Sequence, residues 1–339
     1  MTAVDSEPLL RRLTGSMSLQ EFNRDFRERQ VGFFANAIPP DELRELFSLA
    51  TLEALFANEA VLAPYVDIFD EQHLRRLVDV QRKSGKSCLE VANECLAGGA
   101  TIRVRDADRF DGHLSRFSGG VQRKFVADAQ VNVYLTPPGR NGFPPHFDIT
   151  DAFVIQCLGS KSWRFYPEYS NMVPLPTADT NWEPDRYQPS GPAEAFTLAQ
   201  GDVLYLPRGA MHQAFCTDRE SMHLTVSIAP MTVADALVKA VRRAAESDIE
   251  LRRRVPWTDE PDGISPDLVM ALRKALLNLP QCVDFRELLR AAHPGSPAGE
   301  STPQSGFAST LAGLLERVRL TRENDLHSSS RALSTEESS

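Results

Sequence analysis

Residues 144–166 read PPHFDITDAFVIQCLGSKSWRFY. Val154 and Ile155, then Trp163 and Phe165, are the β-branched and aromatic types that sheets favour, so the stretch reads as two strands. It nevertheless carries His146, Asp148 and a lone Lys161. A core strand cannot hold such groups without partners, because an isolated buried charge is strongly disfavoured. The chain must therefore turn them to water or build a polar site inside a β domain.

The flanking sequence favours a β domain. From Thr101 to Ile228 the pattern is short strands separated by Pro and Gly, whereas both flanks carry helical periodicity. Residues 19–58 read as helix, with Pro40 and the acids behind it as a favourable first turn. CLEVANECLAGG at 88–99 reads as a short helix stopped by glycines, and helical patterning returns after Pro230. The expected organisation is N-terminal helical decoration over 1–100, a β core over 101–230 and a helical region over 231–293. Residues 294–339 follow as a Gly/Pro/Ser linker, one amphipathic helix at 307–322 and a disordered tail. Many short antiparallel strands imply a sandwich or barrel.

Alternation within the strands sorts the polar groups. In QVNVYLT, Val131, Val133 and Leu135 share one face and Gln130, Asn132, Tyr134 and Thr136 the other. In SMHLTVSI, His223, Thr225 and Ser227 oppose Met222, Leu224, Val226 and Ile228. GDVLYLPRGAMH gives a strand, a turn at Arg208-Gly209 and a second strand opened by His212. His146, Asp148 and His212 are the ingredients of a two-histidine, one-carboxylate site, which holds Fe(II) on one face and leaves positions open. His-x-Asp alone is also a common surface or capping pattern; the downstream strand ending in His is what raises it. Two readings of Lys161 stay open. It faces inward beside Trp163 and meets an anionic ligand, or it snorkels outward after the Gly159-Ser160 turn.

These segments together, NVYLTPPGRNGFPPHFDITDAFVIQCLGSKSWRFY with GDVLYLPRGAMHQA and SMHLTVSI, resemble the cupin-4 branch of the JmjC oxygenases, the ribosomal oxygenases, over about residues 128–230. The resemblance implies a double-stranded β-helix of the cupin, jelly-roll type with helical decoration. It implies Fe(II)- and 2-oxoglutarate-dependent hydroxylation with O2 as the other co-substrate, and succinate and CO2 as co-products. It makes His146, Asp148 and His212 the iron ligands, and places Lys161 and Tyr134 at the distal carboxylate of 2-oxoglutarate. Asn132 and His223 match polar positions near the co-substrate, with Thr225 a candidate through the face it shares with His223. It also implies a homodimer through 231–293. The chain departs from the family pattern after Pro230, where 109 residues leave no room or β pattern for a winged helix.

Three functions are compatible with this. They are a hydroxylase of an amino-acid side chain in a protein or peptide, a biosynthetic hydroxylase of a free amino acid or other metabolite, and a catalytically silent cupin scaffold. A net charge of -9 argues against direct nucleic-acid binding, which needs a basic face. Five cysteines without a CxxC pair indicate free thiols rather than a disulfide framework. A polar N-terminus and the lack of a long apolar run lead to the expectation of a cytoplasmic protein without membrane association. RKSGKS at 82–87 lacks the upstream glycine of a phosphate loop, since Val80 stands there. His73, His113, His293 and His327 lack neighbours that suggest a metal.

Overall fold

Ten strands are paired, all antiparallel, in the computed structural model of the chain. It describes residues 6–254 apart from 71–72, 141–142, 171–174, 178–188, 190 and 217–218, together with 266–284 and 286. The linker, the helix read at 307–322 and the polar tail lie outside the described residues. The strands are β1 Gly32–Phe34, β2 Val66–Asp70, β3 His73–Arg76, β4 Thr101–Val104, β5 Ala127–Thr136, β6 Asp151–Phe165, β7 Glu194–Ala199, β8 Val203–Leu206, β9 His212–Phe215 and β10 Ser221–Pro230. The main sheet runs β1-β8-β6-β10-β5-β4-β2-β3, while β7 and β9 flank the second half of β6 in another sheet.

The sequence reading and the structure differ in three places. The 144–166 stretch forms one 15-residue strand, β6, preceded by a loop, rather than two strands. It continues because its first half pairs with β8 and β10 and its second half with β7 and β9. Residues 1–100, read as helical, contribute β1, β2 and β3, since the short GFF and VDIFD segments find open sheet edges. The block read as strands also holds a 14-residue helix, Gly112–Phe125. Asp111 caps it by accepting from the backbone N–H of His113 and Leu114, at 2.9 and 2.8 Å. Leu114, Phe117, Val121 and Phe125 bury its apolar stripe; Gly119 and Gly120 interrupt that pattern in the sequence.

Other helices begin where local chemistry allows. Ser18 and Glu21, Ser87 and Glu90, and Thr232 and Asp235 form reciprocal caps at three helix starts. Within RKSGKS, Gly85 ends one helix at φ 68° and Ser87 caps the next, so local backbone chemistry accounts for the motif. Cys88, Cys95, Cys157 and Cys216 are free thiols. No single helix among the described residues is long and apolar enough to cross a membrane.

Two apolar clusters separate the faces of the main sheet. The larger lies toward the helices and includes Phe22, Phe117, Phe125, Val131, Val133, Phe153, Ile155, Tyr205, Leu224 and Val226. Phe22, Phe153 and Tyr205 pack ring on ring, with centroids 4.8–5.5 Å apart, and dock the Leu19–Asp25 helix onto the sheet. The smaller lies between the two sheets and holds Ala152, Val154, Trp163, Leu198, Leu204, Leu206 and Ala214.

Within β6, Ala152 and Val154 face this smaller cluster at even positions, whereas Lys161 and Trp163 face the same interior at odd positions. The parity changes at a register shift opposite Met222 and His223, where Cys157 is the extra residue between Gln156 and Leu158, shortly before Gly159. Gly159 has φ 63°, and a Cβ there would lie 1.8 Å from the carbonyl oxygen of Glu220. Gly159→Ala is therefore expected to destabilise the fold by at least ~2 kcal/mol, because both backbone strain and a backbone clash oppose it. Urea unfolding of the variant against wild type measures this.

Candidate metal centre and its cavity

The loop before β6 and the turn before β9 are stitched together by backbone. His146 and His212 exchange both N–H···O=C bonds, at 2.9 and 2.8 Å. Gly209 N–H donates to the Asp148 carbonyl at 2.9 Å. Gly209 takes φ 83°, which lets the chain reverse tightly between β8 and β9. His146 and Asp148 thus sit in a loop braced against β9, and the same face is set by this pairing rather than by a continuous strand.

The two imidazoles are oriented alike. His146 Nδ1 lies 2.8 Å from the Pro144 carbonyl and His212 Nδ1 lies 2.8 Å from the Ala210 carbonyl. A carbonyl only accepts, so each Nδ1 carries a hydrogen and Nε2 is the nitrogen left to bind a metal. His212 Nε2 is 3.9 Å from Asp148 Oδ2, and the three ligand atoms of His146, Asp148 and His212 lie within 4.8 Å of one another. Among the described residues this is the one such His/Cys/Asp/Glu cluster. Burial and then the neighbouring His146 push His212 down to about 4, so it is a neutral imidazole at physiological pH. Two imidazoles and one carboxylate, with backbone carbonyls holding the rings, form a donor set suited to Fe(II).

The cluster opens onto a cavity of about 170 Å³. At its other end lies Lys161, only 2% exposed. The inward reading of Lys161 holds, and snorkelling does not. Its Nζ donates to Thr136 Oγ1 at 3.0 Å, which itself accepts from Thr101 Oγ1 at 3.2 Å. No carboxylate pairs with Lys161 among the described residues, and burial lowers its pKa to about 8. Tyr134 lines the same cavity, stacked on His223 with rings 4.8 Å apart and 3° from parallel. Burial raises the Tyr134 pKa and holds His223 well below the usual imidazole value, so both are neutral. His223 Nδ1 is buried with no hydrogen-bond partner.

Tyr134, Lys161, His223 and Thr225 all line the cavity. Asn132 does not line it: its Oδ1 accepts from the Asp106 backbone N–H at 3.0 Å and fixes a left-handed residue in the loop after β4. The structure adds lining residues that the sequence reading did not single out as site residues, namely Thr101, Arg103, Phe143 and Trp163. Arg103 lies directly across from Tyr134 in the β4–β5 ladder and hydrogen-bonds its phenol oxygen. Arg103 is itself held by the buried Asp67 at 2.6 Å. An arginine between Ile102 and Val104 was the available signal, because alternation puts it opposite two core residues. Trp163 spans the wall, 5.8 Å from the His212 ring and 5.6 Å from the His223 ring.

Residues 100–236 match the family model for the JmjC domain. The chain is 32% identical over 224 residues to "Ribosomal oxygenase 1" of Danio rerio, covering 64% of this chain and 40% of that protein. It is 35% identical over 151 residues to the "Bifunctional lysine-specific demethylase and histidyl-hydroxylase NO66" of Dictyostelium discoideum, covering 44% of this chain and 29% of that one. The chain therefore spans less than half the length of these curated relatives. Among solved structures, the Escherichia coli ribosomal oxygenase YcfD in complex with cobalt and 2-oxoglutarate aligns at a TM-score of 0.48 and 15% identity, covering 82% of this chain and 71% of that one.

Removing one imidazole from the cluster should disable it without unfolding the domain, since His212 is held through backbone pairing that alanine keeps. His212→Ala is expected to weaken Co(II) binding at least ~100-fold, with an unchanged far-UV circular dichroism spectrum. Calorimetric titration of the metal reads the first quantity.

Proposed function

We propose, from the match of residues 100–236 to the JmjC domain model, that this chain is an Fe(II)- and 2-oxoglutarate-dependent hydroxylase of an amino-acid side chain in a protein or peptide. The observation that carries this reading is the pairing, across one cavity, of an Nε2, Nε2, carboxylate donor set with a buried lysine that has no anionic partner. A metal-chelating dianion answers both ends at once. His146, Asp148 and His212 would hold Fe(II), and Lys161 and Tyr134 would hold the distal carboxylate of 2-oxoglutarate. Fe(II), 2-oxoglutarate and O2 would supply hydroxylation of a C–H bond coupled to decarboxylation, with succinate and CO2 released.

The chain's own residues prepare the cavity. Arg103 hydrogen-bonds the Tyr134 oxygen, so the phenolic O–H is free to donate inward. Thr136 orients the Lys161 ammonium while leaving two of its three donors unspent. Trp163, Val154, Leu206 and Ala214 keep the space between the two ends apolar and limit water. His223 supports Tyr134 by stacking, and Thr225 adds a hydroxyl to the same wall. The relatives named as a ribosomal oxygenase and a histidyl-hydroxylase support a protein substrate over a free metabolite. The net charge of -9 suits a basic protein substrate by field.

The helical region is proposed to cover itself with a second copy of the chain. Val233, Leu237, Val238 and Val241 are 79, 46, 50 and 38% exposed on the helix Val233–Ser247. Leu272, Leu276 and Leu277 are 56, 66 and 77% exposed on Pro266–Cys282. Such contiguous apolar rows mark an interface. Light scattering is expected to show a dimer at micromolar concentration, and a monomer would count against it. A cytoplasmic location is proposed on the free thiols.

Lys161→Ala is expected to weaken 2-oxoglutarate binding to the anaerobic Fe(II)-loaded protein by about 3–5 kcal/mol, at least a hundredfold, while sparing metal affinity. Tyr134→Phe should cost about 1–2 kcal/mol, as one neutral donor is lost. An unchanged dissociation constant for Lys161→Ala would rule out this anchor.

The wild-type protein should also show a pH signature. Burial lowers the Lys161 pKa to about 8, so the free protein loses this proton above that pH. An anion prefers the ammonium, so binding above pH 8 requires proton uptake. Affinity should be level below pH 8 and fall by up to about tenfold per unit above it. Titrations at several pH values test this, and the Lys161→Ala variant should lack the decline. The function as a whole is tested by succinate formation and by a gain of one oxygen in candidate peptides, both absent with His212→Ala.

A further inference from the structure

Behind the metal cluster lies a second polar assembly that the proposed chemistry does not use. Asp151, the first residue of β6, is 2% exposed. Its Oδ1 accepts from the Arg208 backbone N–H at 3.0 Å, and it accepts the Tyr205 hydroxyl hydrogen. Tyr205 Oη in turn accepts from the Glu28 backbone N–H at 3.1 Å. Glu28 Oε1 accepts from Arg208 Nη2 at 2.7 Å, which returns the chain of contacts to its start. Arg27 adds its Nε 4.0 Å from Asp151 Oδ2. The four residues Asp151, Arg208, Glu28 and Tyr205 therefore form a closed circuit joining three segments far apart in sequence.

The circuit sits at a place where metal geometry is decided. Asp151 follows Asp148 by three residues, and Arg208 precedes His212 by four. Beyond it come the Gly209-to-Asp148 bond and then the double His146–His212 pairing. Asp151 is thus the last rung of a ladder that clamps the loop bearing His146 and Asp148 to the turn before His212. Its other bond ties that ladder to Tyr205, whose ring is fixed between Phe22 and Phe153 at 4.8 and 5.1 Å.

We propose that Asp151 is a positioning residue for the metal centre, acting with Tyr205, Arg208 and Glu28 to hold the two ligand-bearing segments in register. This rests on the reading of His146, Asp148 and His212 as metal ligands. The side chain of Asp151 does not touch the metal site. It acts through the backbone of Arg208, and the N-terminal segment at Glu28 shares in the same constraint. A residue in such a role affects metal affinity and ligand-field geometry, while one that only adds stability does not.

Co(II) titration by calorimetry and by visible absorption tests this, using the full chain. Asp151→Ala is expected to weaken Co(II) binding about 10- to 100-fold and to alter the d–d absorption bands. Tyr205→Phe keeps the ring and removes one hydroxyl, so it should fold in any case and weaken Co(II) binding several-fold. Leu43→Ala opens a cavity in the helical core, away from the circuit, and serves as a control of comparable melting-temperature loss. It should bind Co(II) with wild-type affinity and bands. Wild-type Co(II) affinity and bands in both Asp151→Ala and Tyr205→Phe would overturn the proposal. If Asp151→Ala does not fold, Tyr205→Phe decides alone. Equal weakening in Leu43→Ala would overturn it too, by assigning the effect to general stability. A wild-type protein that binds no Co(II) would instead remove the metal-site reading, and this inference with it.

Discussion

One strand has to serve two sheets, and its register shift is the constraint on which the interior depends. The first half of β6 packs its odd side chains, Phe153 and Ile155, toward the helices. If strict alternation continued, Lys161 and Trp163 would point the same way, into the largest apolar cluster. The irregularity at Cys157, opposite Met222 and His223 and just before Gly159, exchanges the faces. Gln156 braces the bend by donating to the Leu158 carbonyl and to Ser221 Oγ, each at 2.8 Å. Lys161 then faces the cavity lined by His146, Asp148 and His212.

The cavity separates two kinds of polar group that would interfere if they touched. The metal cluster lies near the mouth, where the Asp148 side chain is 44% exposed. Lys161 lies deep, against hydroxyls rather than carboxylates. A direct Lys161–Asp148 pair would neutralise both and leave nothing for a ligand. Trp163 and the apolar residues between the sheets keep them apart. The cavity's own side chains therefore leave the lysine without a counter-charge and the donor cluster without a cation, and a metal with a ligand carrying a carboxylate at a fixed distance from a chelating group suits both.

The N-terminal segment belongs to this arrangement more closely than a decoration would. β1 extends the main sheet through β8, and β2 and β3 extend it through β4. Asp67 on β2 holds Arg103, and Arg103 holds Tyr134. Phe22 packs on Tyr205, whose hydroxyl reaches Asp151. Both walls of the cavity are thus anchored to side chains contributed by the first hundred residues.

Local sequence determined a good deal by itself. Punctuation by Pro and Gly marked out the β region, and alternation correctly grouped His223 with Thr225 and Tyr134 with Thr136, because those strands are regular. His146, Asp148 and His212 were legible because loop and turn residues flank them and few other roles fit that combination. Residue 161 was not decided by sequence: it could face inward beside Trp163 or snorkel outward after the Gly159-Ser160 turn, and nothing local says which face of the strand points into the interior. A bulge is set by the partner strand, and no local pattern reports it. The role of Asn132 was equally invisible, since its acceptor is spent on a loop that only packing brings near. Arg103 and Asp151 escaped notice for the same reason. Each is a single charged residue whose meaning lies in a neighbour dozens of positions away, and only the long-range pairing of strands supplies that neighbour.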